Sequence, residues 1–448
     1  MAIHAHKIFM LSLLAVFFMI PQNGQAQNCN ILPEVIQKLH EPRLGTYTLW
    51  DIIQGVEDMA QRYNDFIMLN EGEVILAGAQ ENEDLLRPLL QKINRKGRIE
   101  WMWQDKNKRG LSRPIEIIEL IDQKNGFLTM GQIYRERQPH AIWIGKFSHD
   151  GRKQAEFIIS EPARDLVYGG LTPSLDGNGW VLAATEKRLS GDKSLGQAYS
   201  RFIRLNKEFS RVMKRSFMPG PENAVHDLQI FQSPSGEKFY IAAGEMEDGS
   251  GRLAGLAMRL DENLNVIWQR LYPRGGGLKF LDVKQAADGE VLIAGTARPI
   301  DPEAPDAGTA IKLQSSNGKE IWQRYFMRDD LAYEGVGLVA TPDGRSHILM
   351  QGADQKDEKT QNHARIVTLS PRGEFMNEIS YTAGKGATPY KIHAGVNNLL
   401  TISGQALMED PDPNDPKNKV ILRKKGWFLV GEPFGIVEDP CKIEERPF

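Results

Sequence analysis

The sequence predicts an all-β fold, a seven-bladed β-propeller with four antiparallel strands in each blade and a ring closed by an N-terminal strand. Three observations support this prediction. The 448 residues include 42 Gly and 24 Pro, a composition that suits many short strands joined by turns. A strand that ends in a small residue recurs seven times along the chain. A polar turn followed by a further strand recurs between these copies at a similar period.

The first 26 residues read as a signal peptide. Lys7 precedes the apolar run 8–20, and Gly24 and Ala26 place small residues where signal peptidase cleaves. We therefore expect cleavage after Ala26 and a periplasmic or secreted mature protein. An uncleaved anchor is the alternative, although the apolar run is shorter than the roughly 20 residues that span a bilayer.

The two cysteines, Cys29 and Cys441, lie at opposite ends of the mature chain. In an oxidising compartment this placement favours a disulfide that ties the termini together. Two unrelated thiols are the alternative. A bridge of this kind typically stabilises a protein by about 2 to 4 kcal/mol.

The clearest blade runs from Leu278 to Tyr325. Its first two strands are joined at Asp288-Gly289, a hairpin signal. A long loop, 297–309, leads to the third strand, and Asn317-Gly318 turns the chain into a fourth. One such sheet cannot bury both of its faces alone, so neighbouring copies must cover them.

The second strand of this unit can be followed along the chain. Its copies are 74–78, 127–131, 181–184, 240–244, 291–295, 348–352 and 399–404. The final residues of these copies are spaced by 53, 53, 60, 51, 57 and 52 positions. A period of this size with four strands in each unit indicates a propeller of seven blades.

The seventh copy has no clear outer strand before Cys441. The N-terminal stretch Gly45–Asp51 resembles outer strands such as Arg98–Asp105. We expect it to complete the last blade, so that no sheet edge is left open. The predicted organisation is a lead-in at 27–43, a propeller at 44–441 and a tail at 442–448.

The segment Ile311–Trp322 contains a Leu, a polar turn ending in Gly, and a Trp. This arrangement resembles the repeat of PQQ-like β-propellers and related bacterial propeller repeats, in which the Trp docks against a neighbouring blade. The resemblance implies the architecture. Quinoprotein dehydrogenases of that superfamily carry vicinal cysteines and a calcium-bound cofactor, and this chain has no adjacent cysteines. It is similar in that respect to the non-enzymatic members, such as the outer-membrane assembly lipoprotein.

The formal net charge of -3 does not favour nucleic acid as a partner. In a four-stranded blade, the connections from strand two to strand three and from strand four to the next blade emerge on one face. These connections are long in several copies: 81–87, 186–195, 245–252, 297–309, 354–362 and 409–419. Because rigid scaffolds usually carry binding residues on long loops, we assign this face to a partner. Tolerated insertions are the alternative.

Charged residues at the blade junctions are candidates for a binding site at the mouth of the central channel. They are Arg164, Asp165, Arg274, Asp329, Asp330 and Lys385. Surface salt bridges are the alternative. The histidines fall in separate repeats, and no catalytic or metal-binding motif is present. The stretch Asp410–Asp415 resembles the start of a calcium loop but has Ile421 where a closing Glu is expected, so we predict no cofactor.

Two functions from different classes are consistent with these observations. The first is an exported, non-enzymatic and monomeric propeller that binds a protein or surface polymer of the cell envelope through its long-loop face. The alternative is an extracellular or periplasmic enzyme, a hydrolase or lyase, with its site at the channel mouth.

Overall fold

The computed structural model describes most of the predicted propeller. The described residues are 34–38, 43–44, 50–55, 59–69, 72–81, 86–104, 115–134, 139–190, 193–217, 223–328, 331–353, 362–394, 399–411 and 419–433. All regular secondary structure in these ranges is β-strand. None of the ranges contains a helix that is long and apolar enough to cross a membrane. The leader 1–26, Cys29 and Cys441 lie outside the described residues. Signal cleavage and the disulfide therefore stay predictions.

Three short strands precede seven sheets, or blades, that are each built from consecutive strands. The short strands are β1 (Glu34–Lys38), β2 (Arg43–Leu44) and β3 (Trp50–Gln54). Blades one and two are β4–β7 (Ala60–Met68, Val74–Glu81, Leu86–Ile93, Ile99–Trp103) and β8–β11 (Ile115–Gln123, Gly126–Ile133, Ala141–Phe147, Lys153–Ile159). Blades three and four are β12–β15 (Arg164–Pro173, Gly179–Ser190, Lys193–Asn206, Arg211–Phe217) and β16–β19 (Asn223–Gln232, Lys238–Glu247, Leu253–Leu260, Val266–Tyr272).

The remaining blades follow the same pattern. Blades five and six are β20–β23 (Gly277–Gln285, Val291–Arg298, Ala307–Leu313, Glu320–Met327) and β24–β27 (Ala332–Ala340, Ser346–Ala353, His363–Leu369, Phe375–Tyr381). Blade seven contains β28–β30 (Gly386–Ala394, Leu399–Pro411, Val420–Pro433). Neighbouring strands within each blade are antiparallel, and the predicted second strands lie in β5, β9, β13, β17, β21, β25 and β29. The all-β, seven-bladed prediction is confirmed.

An N-terminal strand completes the last blade, as predicted. Strand β3 pairs antiparallel with β30, from Trp50 opposite Val430 to Gln54 opposite Gly426. The described part of the closing strand begins at Trp50, and residues 45–49 of the predicted strand lie outside the described residues. The indole nitrogen of the buried Trp427 donates a hydrogen bond to Asp51 at 3.0 Å, which joins the first and last parts of the described chain.

The N-terminal segment also covers two other blades, which the sequence did not indicate. Strand β1 pairs in parallel with β23, the outer strand of blade five, and β2 pairs in parallel with β27 of blade six. An uncovered outer strand presents unpaired backbone groups that invite pairing with another chain. The segment assigned as a lead-in therefore supplies edge strands before the chain closes the ring.

The repeated Trp residues pack between blades, as the propeller resemblance implied. Trp322 is 1% exposed, and a Cβ atom on Gly373 of blade six would lie 2.6 Å from its ring. Trp268 packs in the same way on Gly318 of blade five. Both glycines have positive φ angles, +79° and +70°, which side chains rarely adopt. The turn glycine and the Trp of adjacent blades therefore form one packing unit.

The two faces of the ring differ. On one face, the described turns are short and closed by backbone hydrogen bonds, for example between Asn94 and Arg98, Ser233 and Glu237, and Ser370 and Glu374. The other face carries the longer connections, including residues 299–306 between β21 and β22. Two predicted long loops on this face were wrong: 245–252 is reduced to a turn closed by a hydrogen bond from the Asp248 N–H to Arg252 at 2.7 Å, and β13 and β14 extend through most of 186–195. We call these the turn face and the long-loop face.

Candidate functional site

The innermost strand of every blade contains a β-bulge at the same position. A bulge leaves one residue without a partner on the neighbouring strand and bends the strand locally. The unpaired residues are Asn64, Ile118, Gly169, His226, Leu281, Val336 and Tyr390. They lie on seven strands that surround one channel, so the bulges form a ring within it.

The small residues that marked the repeat are explained by this bulge. In five blades the residue opposite it is a glycine on the second strand: Gly78, Gly131, Gly244, Gly295 and Gly404. A Cβ atom on any of them would lie 1.9 to 2.7 Å from a carbonyl oxygen of the inner strand. Such a distance is a collision, so the bulged backbone requires glycine there.

In blades three and six the glycine lies on the inner strand instead of the second strand. Ala184 and Met350 occupy the second-strand position, and the inner strands carry Gly170 and Gly337 directly after the bulge. The sequence alignment used Gly352 for blade six, and the register corrects this assignment to Met350. The error arose because the corresponding glycine of that blade, Gly337, lies on the inner strand and not on the second strand.

A cavity of about 500 Å³ lies in the channel at the bulge ring. Six of the seven unpaired residues line it, together with neighbours on the same strands. Tyr134 also lines the cavity and directly follows β9, where the chain leaves the blade on the long-loop face. The cavity therefore lies toward the long-loop end of the channel.

The residue after each bulge forms a second ring, which is mostly charged. Its members are Asp65, Glu119, Gly170, Asp227, Asp282, Gly337 and Lys391. Four carboxyl groups and one amine from widely separated parts of the sequence thus surround one channel.

Three of these carboxylates connect neighbouring blades. Asp65 accepts a hydrogen bond from the backbone N–H of Leu120 at 2.8 Å. Asp227 accepts one from Val283 at 2.9 Å, and Asp282 accepts one from Leu338 at 2.7 Å. Each donor lies one blade further along the chain. The carboxylates therefore satisfy buried N–H groups and fix adjacent inner strands to one another.

Glu119 differs from these three carboxylates. Its carboxylate accepts a hydrogen bond from the hydroxyl of Tyr168. Burial raises the pKa of Glu119 to about 7; Lys391 opposes this shift, while Asp227 and Asp65 add to it. A carboxyl group that titrates near neutral pH and faces a cavity is a feature of functional sites.

Lys391 is the cation of the ring. Burial lowers its pKa, but the surrounding carboxylates, led by Asp282 and Asp65, outweigh burial and hold the pKa well above its usual value. Among the described residues, Lys391 Nζ has no ion pair or hydrogen bond, although it lines the cavity. Its charge therefore acts on the carboxylates across the channel.

A separate group of polar residues closes one side of the cavity. Arg62 forms ion pairs with Glu116 at 2.9 Å and Glu81 at 2.8 Å. Glu116 also accepts hydrogen bonds from Asn64 at 2.9 Å and from the Tyr134 hydroxyl at 3.2 Å. This network joins blades one and two, and its polar atoms are well satisfied.

The site residues suggested by the sequence lie elsewhere. Arg164 pairs with Glu186, Arg274 with Glu320 at 3.0 Å, and Lys385 with Glu409 at 3.2 Å, while Asp165 accepts a hydrogen bond from the His140 backbone at 2.6 Å. None of these four candidates lines the channel cavity, and Asp329 and Asp330 lie outside the described residues. Three of the described candidates thus form salt bridges, which was the alternative interpretation, and the site at the channel mouth stays a prediction.

The residues of the charged ring share a sequence pattern, which a comparison of the second strands does not detect. The unpaired residue, the ring residue and an apolar residue occur in sequence as NDF, IEL, GGL, HDL, LDV, VGL and YKI. Aligning the inner strands would have brought the charged residues into one column. Their convergence on a cavity still required the closed ring.

The described residues contain no group of three His, Cys, Asp or Glu side chains that could hold a metal ion. In the candidate calcium loop, Asp410 forms an ion pair with Lys425 at 2.7 Å. Residues 412–415 of that loop lie outside the described ranges.

The fold defines the class of this protein as a seven-bladed β-propeller, and the resemblance to PQQ-like and bacterial propeller repeats is confirmed at the level of architecture. No family model matches the chain, and no curated protein does.

Several solved structures are similar in fold. Quinohemoprotein alcohol dehydrogenase from Comamonas testosteroni is 9% identical, with a TM-score of 0.49 over 89% of this chain and 79% of that chain. Sqt1 from Chaetomium thermophilum is 10% identical, with a TM-score of 0.43 over 88% of this chain and 89% of that chain. An endo-arabinase from Bacteroides thetaiotaomicron is 11% identical, with a TM-score of 0.34 over 73% of this chain and 96% of that chain. At these identities the likeness concerns the fold alone.

Proposed function

We propose that this protein is an exported, monomeric and non-enzymatic propeller that binds a protein or surface polymer of the cell envelope through its long-loop face. The observation that carries the proposal is the difference between the two faces. Short turns on the turn face are closed by their own hydrogen bonds. The long connections vary in length from blade to blade and are held by a rigid ring, as binding loops commonly are.

The loop 299–306 is the part of this face that best suits a contact. Ile300 is 78% exposed, and Arg298 at the start of the loop has a side chain that is 64% exposed. Arg298 makes only a loose ion pair, 3.7 Å from Asp306. An apolar side chain beside a weakly held guanidinium is a combination that protein interfaces favour.

Affinity capture with the mature protein as bait tests the proposal. The bait would be compared with an Arg298→Glu/Ile300→Asp double variant and with Lys207→Glu, a change on the turn face. We expect a stoichiometric envelope partner on the unaltered bait and on Lys207→Glu, and its loss from the double variant. Equal capture by all three baits would contradict the assignment of the face, and capture of no envelope protein or polymer would contradict the binding function.

One observation favours the alternative function, a hydrolase or lyase. Glu119 has a pKa of about 7, is hydrogen-bonded to Tyr168 and faces a cavity, as a general acid or base would. Assays on polysaccharide and peptide substrates would compare the protein with Glu119→Gln. An enzyme of this kind should lose activity by roughly 10²- to 10⁴-fold on that change. Unchanged turnover by Glu119→Gln would remove this alternative.

A further inference from the structure

The channel cavity has walls that suit an organic cation. Tyr134, which follows β9, lines it together with Tyr168 on β12 and Tyr390 on β28. Aromatic rings attract cations through their negatively charged faces, most strongly where water is excluded. The volume of about 500 Å³ is within the range of small-molecule sites.

Negative charge exceeds positive charge around this cavity. The ionisable groups of the ring and its immediate neighbour are the carboxyl groups of Asp65, Glu119, Asp227 and Asp282 and the amines of Lys391 and Lys284. Burial, with a contribution from Asp282, raises the pKa of Asp227, so this group carries less negative charge than Asp282. The Lys284 amine forms an ion pair with Asp282 at 2.5 Å. The Arg62 guanidinium adds no free positive charge, because it is shared between two glutamates. A bound cation would reduce this excess of carboxyl groups over amines.

Glu119 provides the polar contact that such a ligand needs. One carboxyl oxygen accepts the Tyr168 hydroxyl, and the other accepts no hydrogen bond from a described residue. We propose that the channel cavity binds a small organic cation with a primary ammonium group, which donates to Glu119 and lies against the tyrosine rings. The site is separate from the loops to which we assign the envelope partner, and it does not require turnover.

Binding at this site should depend on pH. The groups that face Glu119 from other strands are Tyr168 on β12, Asp227 on β16, Lys391 on β28 and Asp65 on β4. His226 also lines the cavity, and His393 lies 3.2 Å from Asp65. The other titratable groups of the lining are Asp282, Glu116, Arg62, Tyr134 and Tyr390.

A bound ammonium stabilises the ionised form of Glu119, so binding should release a proton and strengthen as pH rises. Burial raises the pKa of Glu119 to about 7. If only the ionised form binds, the apparent Kd should rise about tenfold between pH 8 and pH 6. Lys391 stays charged over this range and does not contribute to the change.

Isothermal titration calorimetry of the full mature protein tests this site. The probe is putrescine, and its uncharged counterpart is 1,4-butanediol. We expect saturable 1:1 binding of putrescine, none of butanediol, and proton release seen as a dependence of the heat on the buffer. Glu119→Gln should weaken binding at pH 8 by at least about tenfold and remove its pH dependence. Glu208→Gln, an exposed change on the turn face, should bind like the unaltered protein.

Three outcomes would overturn the inference. They are no saturable heat up to about 10 mM putrescine, equal binding of butanediol, and unchanged binding by Glu119→Gln. A Tyr390→Leu variant provides a second test if Glu119→Gln fails to fold, because loss of the aromatic wall should also weaken binding several-fold. Unchanged affinity in that variant would likewise count against the site.

Discussion

Replacing Asp282 by alanine tests whether the carboxylate ring holds the blades together. Asp282 is 3% exposed, and it accepts hydrogen bonds from the Leu338 backbone at 2.7 Å and from Lys284 at 2.5 Å. Alanine would leave a buried N–H unpaired, at a cost of about 1–3 kcal/mol. It would also remove one ion-pair partner of Lys284, whose remaining partner, Asp227, lies 3.6 Å away. We expect the free energy of unfolding to fall by about 2–4 kcal/mol.

The charge and the hydrogen bond can be separated with a second variant. Asn keeps an oxygen acceptor for Leu338, so Asp282→Asn should lose roughly half as much stability. Burial raises the pKa of Asp282, but Lys284 and Lys391 outweigh it and hold the pKa below its usual value. The stabilisation is therefore fully present above about pH 4 and is lost as pH falls through the lower, folded-state pKa. Both variants should differ from the unaltered protein at pH 7.

Urea unfolding followed by tryptophan fluorescence measures these effects, with Glu303→Ala as a control at an exposed loop carboxylate. The comparison should use the unfolding midpoint, because a ring of seven blades need not unfold in one step. A midpoint for Asp282→Ala no lower than that of Glu303→Ala would refute the view that the carboxylate ring ties the inner strands together.

Three further predictions follow from the packing and the chain ends. Gly295→Ala should destabilise the fold by about 1–3 kcal/mol in thermal unfolding, because the new Cβ would lie 1.9 Å from a carbonyl oxygen. The control Gly249→Ala places its Cβ in open space and should change stability little. Burial lowers the pKa of His347 to about 3. Protonation of this residue in the unfolded chain should therefore lower the free energy of unfolding by up to about 1.4 kcal/mol per pH unit below pH 6.5. The variant His347→Gln should reduce this pH dependence. Non-reducing peptide mapping should find Cys29 joined to Cys441; free thiols at both would contradict the disulfide.

The sequence by itself determined the number of blades, because each blade is specified by short-range features. Hairpin turns such as Asp288-Gly289 and the strand before Gly295 depend on neighbouring residues, and they recur at a readable period. The turn glycine and the Trp were also recognisable, since both keep a fixed spacing within the repeat, whereas the contact between them across adjacent blades came from the structure. Loop lengths indicated the long-loop face in the same way, although 245–252 forms a closed turn and most of 186–195 is strand.

The tertiary structure decided what depends on contacts between distant residues. The pairing of β3 with β30 joins residues near the two ends of the described chain, and its continuation beyond Asp51 to Gln54 could not be read from the sequence. The edge strands β1 and β2 lie beside blades that follow hundreds of residues later.

The channel site shows the physical reason most directly. Glu119, Asp227 and Lys391 lie in separate repeats, and nothing in the sequence of a single inner strand sets its ring residue apart from other charged residues such as Glu116. A bulge shifts the strand by one residue and so changes which side chains face the channel. Closure of the ring then brings these residues around one cavity, where burial and mutual repulsion set the pKa of Glu119.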